Sequence, residues 1–445
     1  MNKYRLVELF AGAGGLAIGM EKAGFDSVLL NEIDKHACNT LRRNRPDWEV
    51  IEGDITNIDF SPYRDEVDIV SGGFPCQAFS YAGNKLGFED ARGTLFFEFA
   101  RAVGEINPKV IVAENVKGLL KHEGGRTLEV IENVIDELGY KLVEPRVLKA
   151  IFYRVPQKRE RLILVGIRKD LADHVEFKWP RPDERIMTMR DALKSGDLYK
   201  TDVPLSEGQK YPQRKKEILS LVPQGGCWRD LPDNIQREYM KKSYFLSGGK
   251  TGMARRLSWN EPSLTLTCAP AQNQTERCHP EETRPLTVRE YARIQTFPDS
   301  WEFTGSLTAQ YRQIGNAVPV NLAYAIGLSL IRLLDDIYRG EIMKPIDIKR
   351  SLFVEELATM VASWGCEDWA LYATDDGCVQ ARHSSYSNPE GIEYHKIMSL
   401  YALDSICDSS GRYTGDKRFD NWEVASWVAD EYNFNNGEVR FEIVK

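Results

Sequence analysis

The run Gly73-Phe74-Pro75-Cys76-Gln77 places a cysteine, fixed by a preceding proline, just after the β-branched stretch Val67-Asp68-Ile69-Val70. Such a stretch reads as a buried strand, and in an open α/β sheet ligands and chemistry sit at the C-terminal strand edge. A thiolate there is a soft nucleophile. It suits attack on a cytosine ring, whose C5 is a poor nucleophile until a thiolate adds at C6. The resulting enamine accepts a methyl group at C5. Cys76 is the candidate nucleophile. Residues 78–92, polar and glycine-containing, read as a mobile loop able to close over substrate.

Addition at C6 is favoured when N3 of the ring is protonated or strongly hydrogen-bonded. Glu114 follows the apolar run Val110-Ile111-Val112-Ala113, which puts it on the same sheet edge as Cys76. Burial there favours the neutral carboxyl, a donor to N3. Gln157, Arg159 and Arg161 alternate, so on a strand they share one face. Arginines aimed at one pocket would hold the base O2, the Glu114 carboxylate or a flanking phosphate.

A second ligand is announced by Phe10-Ala11-Gly12-Ala13-Gly14-Gly15, between a strand-like run and a helical pattern. Glycines let the backbone approach a ligand beside a helix N-terminus. Glu32 ends the next strand-like run, where a carboxylate accepts from ribose hydroxyls. Asp54, after a third such run, would bond an adenine amino group. By itself this loop fits NAD, FAD or S-adenosylmethionine equally.

The elements that must position these residues alternate. Apolar runs at 4–10, 27–31, 67–71, 110–113 and 162–167 are separated by helix-like stretches, among them 95–106 and 127–138. This βαβα pattern implies an α/β fold, a Rossmann-like doubly wound, mostly parallel sheet. The pattern breaks near Phe177-Lys178-Trp179-Pro180-Arg181-Pro182, and helical periodicity returns at 287–295 and 320–338.

With 445 residues, 42% hydrophobic and 28% charged, the chain is that of a globular protein of two or three domains. No apolar run approaches the ~20 residues that span a bilayer, and the N-terminus has no signal-peptide pattern. Eight cysteines without disulfide-framework spacing fit free thiols in a reducing, cytoplasmic setting. The net charge of −8 looks wrong for a nucleic-acid enzyme, but residues 345–445 alone carry 18 acidic and 9 basic groups. Residues 205–256 carry 11 basic and 5 acidic ones, a local excess able to neutralise phosphates.

In order and type, these residues resemble the cytosine-C5 DNA methyltransferase family of bacterial restriction–modification systems. The resemblance rests on the Phe10–Gly15 loop, Asn31-Glu32-Ile33-Asp34, Gly53-Asp54-Ile55, Phe74-Pro75-Cys76-Gln77, Glu114-Asn115-Val116 and Gln157-Lys158-Arg159-Glu160-Arg161. It continues through Arg284-Pro285-Leu286-Thr287, Gln295-Thr296-Phe297-Pro298-Asp299 and Gln313-Ile314-Gly315-Asn316-Ala317-Val318-Pro319, spanning about residues 4–340. It implies that Cys76 is the nucleophile, Glu114 the N3 partner and Arg161 a contact to the base, with Arg159 supporting the site. Phe10, Gly12, Gly14, Gly15, Glu32, Ile33, Asp54, Ile55, Pro75, Leu95 and Asn316 would hold S-adenosylmethionine; no metal is implied.

The catalytic domain is then residues 1–175 completed by 311–340, with a small target-recognition domain at 176–310. Such enzymes extrude the target base from the duplex. Gln77, Ser80, Thr265 and Leu266 are expected at the DNA, and Arg255 and Arg256 are candidates for guanine or phosphate contacts. The expected partner is double-stranded DNA, bound by a monomer, with no membrane. A restriction endonuclease would be a functional counterpart without a stable complex. The alternatives are a tRNA cytosine-5 methyltransferase and a non-catalytic DNA-binding protein. Residues 345–445 depart from the family's minimal pattern. Trp364, Trp369, Trp422 and Trp427 argue that this C-terminal extension folds.

Overall fold

Short runs of Val, Ile and Leu form the middle of an eight-stranded sheet. The computed structural model describes residues 4–74, 95–245, 252–338, 368–373, 379–383, 395–396 and 440–444. Two compact units emerge, residues 3–334 and residues 335–445.

In the first unit, β1 (Arg5–Leu9), α1 (Gly15–Ala23), β2 (Asp26–Glu32), α2 (Lys35–Asn44) and β3 (Val50–Glu52) alternate. β4 (Ile69–Gly72), α3 (Leu95–Ile106), β5 (Val110–Val116) and α4 (Arg126–Glu137) continue the pattern. β6 (Tyr140–Leu142), β7 (Arg146–Lys149), β8 (Gln157–Lys158), β9 (Glu160–Arg168) and α5 (Lys169–Ala172) follow. The sheet order is β3-β2-β1-β4-β5-β9-β6, with β7 also on β9. β3 through β5 pair in parallel, and β9 runs antiparallel to β5. The sheet is therefore mostly parallel, and its order reverses between β1 and β4, the crevice where such folds bind ligands.

Both faces of the sheet are covered. α3 buries Phe96, Phe99, Val103 and Ile106, and α4 buries Val130, Ile131, Val134 and Ile135, the i, i+3, i+4, i+7 spacing of an amphipathic helix. These pack with Val7, Leu9, Val70 and Ile111 on one face. On the other face α1 and α2 share a core with α6 (Met189–Leu193), α9 (Val288–Ile294) and α10 (Leu307–Asn316). A capping box starts α9: Thr287 N–H donates to Glu290 Oε2 at 2.7 Å, and Glu290 N–H donates to Thr287 Oγ1.

Between them, α7 (Gln213–Ser220), α8 (Asp233–Met240) and β10 (Ser263–Leu264) occupy the stretch that reads as irregular in sequence. These elements are two to eight residues long, too short to print a clear period. Tyr211, Ile218, Leu219, Val222, Leu231, Ala254 and Cys278 give residues 211–278 a core of their own.

α11 (residues 320–338) returns to the N-terminal half. A Cβ on Gly19 of α1 would lie 2.3 Å from Ala323 Cβ and 2.6 Å from the Val320 carbonyl, so only glycine permits this approach. By length and composition the stretch Leu307–Tyr338 would pass as a membrane span, unlike the expectation from sequence. It breaks at Ala317-Val318-Pro319 and buries Val320, Leu322, Ala323, Ile326, Leu330 and Leu333, as a core helix does.

The second unit contains β11 (Asp368–Ala373), β12 (Val379–His383), β13 (His395–Lys396) and β14 (Arg440–Val444) in the order β13-β12-β11-β14. β14 joins β11 in parallel while the other pairs are antiparallel.

Candidate active site

The loop after β1 is built by left-handed backbone: Phe10 has φ 57°, Gly12 56° and Gly14 83°. Gly12 N–H donates to Glu32 Oε2 at 2.7 Å, while Ile33 and Asp34 N–H groups donate to Glu32 Oε1 at 2.9 and 2.8 Å. One carboxylate thus ties the β1 loop to the end of β2. Asp54 accepts from the Thr56 backbone and hydroxyl, which hold its exposed carboxyl below the ordinary value. Ile33 is 68% exposed, an apolar surface beside this polar rim.

A cavity of about 760 Å³ joins these groups to the others. Phe10, Gly12, Gly15, Glu32, Ile33, Asp54, Ile55, Leu95 and Asn316 line one part, and Glu114, Arg159, Arg161, Thr265 and Leu266 another. Gly14 does not line it. It caps α1, and a Cβ there would lie 2.7 Å from Leu41 and 3.2 Å from Trp301, so its role is backbone conformation and packing. Pro75, Cys76, Gln77, Ser80 and the loop expected at 78–92 lie outside the described residues.

The strand leading to Cys76 is positioned by its neighbour. Gly72 of β4 pairs with Ala113 of β5, and Asn115 Nδ2 donates to the Phe74 carbonyl at 3.0 Å. A Cβ on Gly73 would stand 3.0 Å from Glu114 Oε2, so the glycine admits that carboxylate close to the backbone. Across the antiparallel β5–β9 pair Glu114 faces Ile163, and Arg161, two residues along, reaches it diagonally. Arg161 Nε lies 2.5 Å from Glu114 Oε1, both side chains at most 14% exposed. Of the partners the sequence offers for these arginines, the structure puts Arg161 on the Glu114 carboxylate.

Arg159 is 2% exposed. It donates to the carbonyls of Leu266 at 3.4 Å, Gly315 at 3.1 Å and Asn316 at 3.5 Å, and its Nε has no partner among the described residues. Burial and neighbouring Arg161 pull its guanidinium down to about 9. Gln157, fully buried, donates to Gln295 Oε1 and accepts from Leu266 N–H, while Thr265 Oγ1 donates to the Lys158 carbonyl at 2.7 Å. The segment 263–268 is thereby pinned to the Gln157–Arg161 strand. Leu266 is 2% exposed, so it is a cavity wall and not an open surface.

Arg256 corrects the sequence reading. Only 5% exposed, it donates to the carbonyls of Val222, Leu219 and His279 and to Thr283 Oγ1, which occupies it as a structural tie. Arg255 is partly exposed, 3.8 Å from Glu261.

Glu8 and Cys268 line the cavity and were not singled out from sequence. Glu8 is 2% exposed and its Oε2 has no partner among the described residues; burial, with Glu32 beside it, raises its carboxyl well above the ordinary value. The signal was present, one acid inside the apolar Leu6-Val7-Glu8-Leu9. Cys268 donates to Asn316 Oδ1 at 3.0 Å, and nothing in its spacing marked it. Among the described residues Cys38, Cys227, Cys268 and Cys278 are free thiols, and no cluster suited to a metal occurs.

Residues 4–332 match the family profile of C-5 cytosine-specific DNA methylase. The chain belongs to this family. It is a DNA (cytosine-5-)-methyltransferase. It is 72% identical over 336 residues to the Type II methyltransferase M.Eco47II of Escherichia coli, covering 76% of this chain and 81% of that relative. M.Sau96I of Staphylococcus aureus, also a Type II methyltransferase, is 52% identical over 335 residues, 75% of this chain and 76% of the relative. A crystal structure of a DNA modification methyltransferase from an E. coli prophage superposes with a TM-score of 0.54 at 26% identity, covering 75% of this chain and all of that one.

Enzymes of this family use S-adenosylmethionine, and the cavity fits it. That ligand bears a sulfonium and an ammonium, and Glu8 offers a buried oxygen without a partner among the described residues, beside the Glu32 carboxylate. Ile33 and Phe10 offer apolar surface for a purine, and Asp54 an exposed acceptor.

Proposed function

We propose that this chain is a Type II methyltransferase that modifies C5 of a flipped-out cytosine in one short duplex sequence, through a covalent bond between Cys76 and C6. The observation that carries the reading is one cavity lined at one part by Phe10, Gly12, Gly15 and Glu32, and at another by the Glu114–Arg161 pair.

The Cys76 thiolate adds to C6 and forms the C–S bond, and the ring electron pair moves toward C5. Glu114 holds N3, the atom at which added charge is quenched, and Arg161 orients Glu114 and the base O2. When bound, S-adenosylmethionine supplies an electrophilic methyl group; Glu8, Glu32, Ile33, Asp54 and Asn316 would hold it. Loss of the C5 proton then expels the thiolate and restores the aromatic ring. Arg159, buried on backbone carbonyls, keeps the segment around Leu266 against this wall. Residues 211–278, with their own core and much of the basic excess, would form the centre of the recognition lobe. Pairing with a restriction endonuclease follows from the relatives' Type II names.

Bisulfite sequencing of DNA from cells expressing the chain, beside Cys76→Ala, tests this. Methylcytosine confined to one motif and absent in the variant is expected. Unmodified DNA with the wild type overturns the substrate, and modification persisting in the variant overturns the covalent step.

A further inference from the structure

α8 ends at Lys241, whose φ of 49° is a left-handed conformation that lysine rarely adopts. Strain of this kind persists where the surroundings over-determine it, and it clusters at functional segments. Here the surroundings are a bracket around Tyr244. Its hydroxyl donates to Asp233 Oδ1 at 2.6 Å, the Arg237 guanidinium lies 5.1 Å from its ring centroid, and Trp228 meets it edge-on at 6.2 Å. Phe245 stands edge-on against the held Tyr244 ring at 5.2 Å, yet is 76% exposed. One edge-on contact is a small gain for a phenyl ring left this exposed. Lys241 and Lys242 are exposed beside it and bond no carboxylate among the described residues.

An apolar ring flanked by unpaired cations matches a ligand whose flat apolar surfaces lie between rows of anions. Stacked base pairs between phosphate strands have that form. The segment also lies in the lobe with the basic excess of residues 205–256. We propose that Phe245 is a wedge that enters a base step of the target duplex, with Lys241 and Lys242 on the adjoining phosphates. This rests on duplex DNA being the substrate. It adds a residue that deforms the duplex, so discrimination would extend to steps whose base edges no side chain reads.

The test uses the full chain and a fluorescent duplex carrying the motif found by bisulfite sequencing, with 2-aminopurine placed in turn at each flanking step. Phe245→Ala should bind about tenfold more weakly, within what aromatic–base stacking is worth. It should also lose a fluorescence rise that the wild type produces at one step, at an unchanged melting temperature. Phe245→Trp should retain both. Lys241→Gln with Lys242→Gln should lower the slope of log affinity against log salt by about 2. Equal affinity and equal 2-aminopurine signals in Phe245→Ala overturn the wedge. So does a variant that binds DNA normally but changes its sedimentation, because the ring is then a protein contact. A wild type that neither binds nor methylates the duplex instead overturns the reading of the substrate.

Discussion

Arg161 Nε stands 2.5 Å from Glu114 Oε1 across the β5–β9 junction, and the same carboxylate borders the Gly73 backbone. The pair therefore links the strand that carries the base-binding candidates to the strand end that leads toward Cys76. Neither residue can be moved without the other.

Glu114→Gln keeps the shape and removes the charge. Turnover should fall by about 10²–10⁴-fold, the usual worth of a positioned acid–base group, measured as radiolabelled methyl transfer to duplex. Arg161→Met should instead leave a largely buried carboxylate without its cation and lower stability by about 3 kcal/mol, read from denaturant midpoints. Full turnover in Glu114→Gln would remove Glu114 from the chemistry.

Glu8 makes stability depend on pH. Its folded carboxyl binds a proton more tightly than the unfolded chain, whose ordinary value is 4.5. Between those two values the folded state holds more protons, so this contribution is complete below the ordinary value and is lost as pH rises. Glu8→Gln mimics the protonated form and removes the loss. Its melting temperature should match the wild type below the ordinary value of 4.5 and exceed it at about pH 8. A constant difference across that range would contradict the assignment.

Arg256 and Arg255 should separate. Arg256→Met strands three buried carbonyls and the half-buried Thr283 hydroxyl and should cost about 3 kcal/mol of stability, with the methylated motif unchanged in whatever protein survives. Arg255→Ala should fold normally and weaken duplex binding. A changed motif with normal stability in Arg256→Met would return Arg256 to the DNA.

The central sheet was legible because its strands are uninterrupted apolar runs, as parallel strands buried on both faces must be. The helix read at 95–106 is α3 to the residue, and the run at 110–113 proves longer because Glu114, Asn115 and Val116 continue pairing with β9. Glu32, Asp54, Glu114 and Arg161 could be placed from sequence because each follows or adjoins a strand. Arg256 could not be told from Arg255, since adjacent arginines carry no sign of which one turns inward. Glu8 was hidden by the same pattern that revealed its strand, as alternation says which face a residue takes and not what lies there. The helices within 211–278 are short and held by their own small core, so their period is weak in the sequence.

Gly19 and Ala323 in contact have a consequence for how the protein is made. α1 leaves the ribosome about 300 residues ahead of this partner. At ~5–20 residues per second, the apolar flank of α1 waits tens of seconds for its cover. The N-terminal portion therefore cannot act as a free-standing enzyme during synthesis. A chain that stops before residue 320 leaves this flank of α1 uncovered.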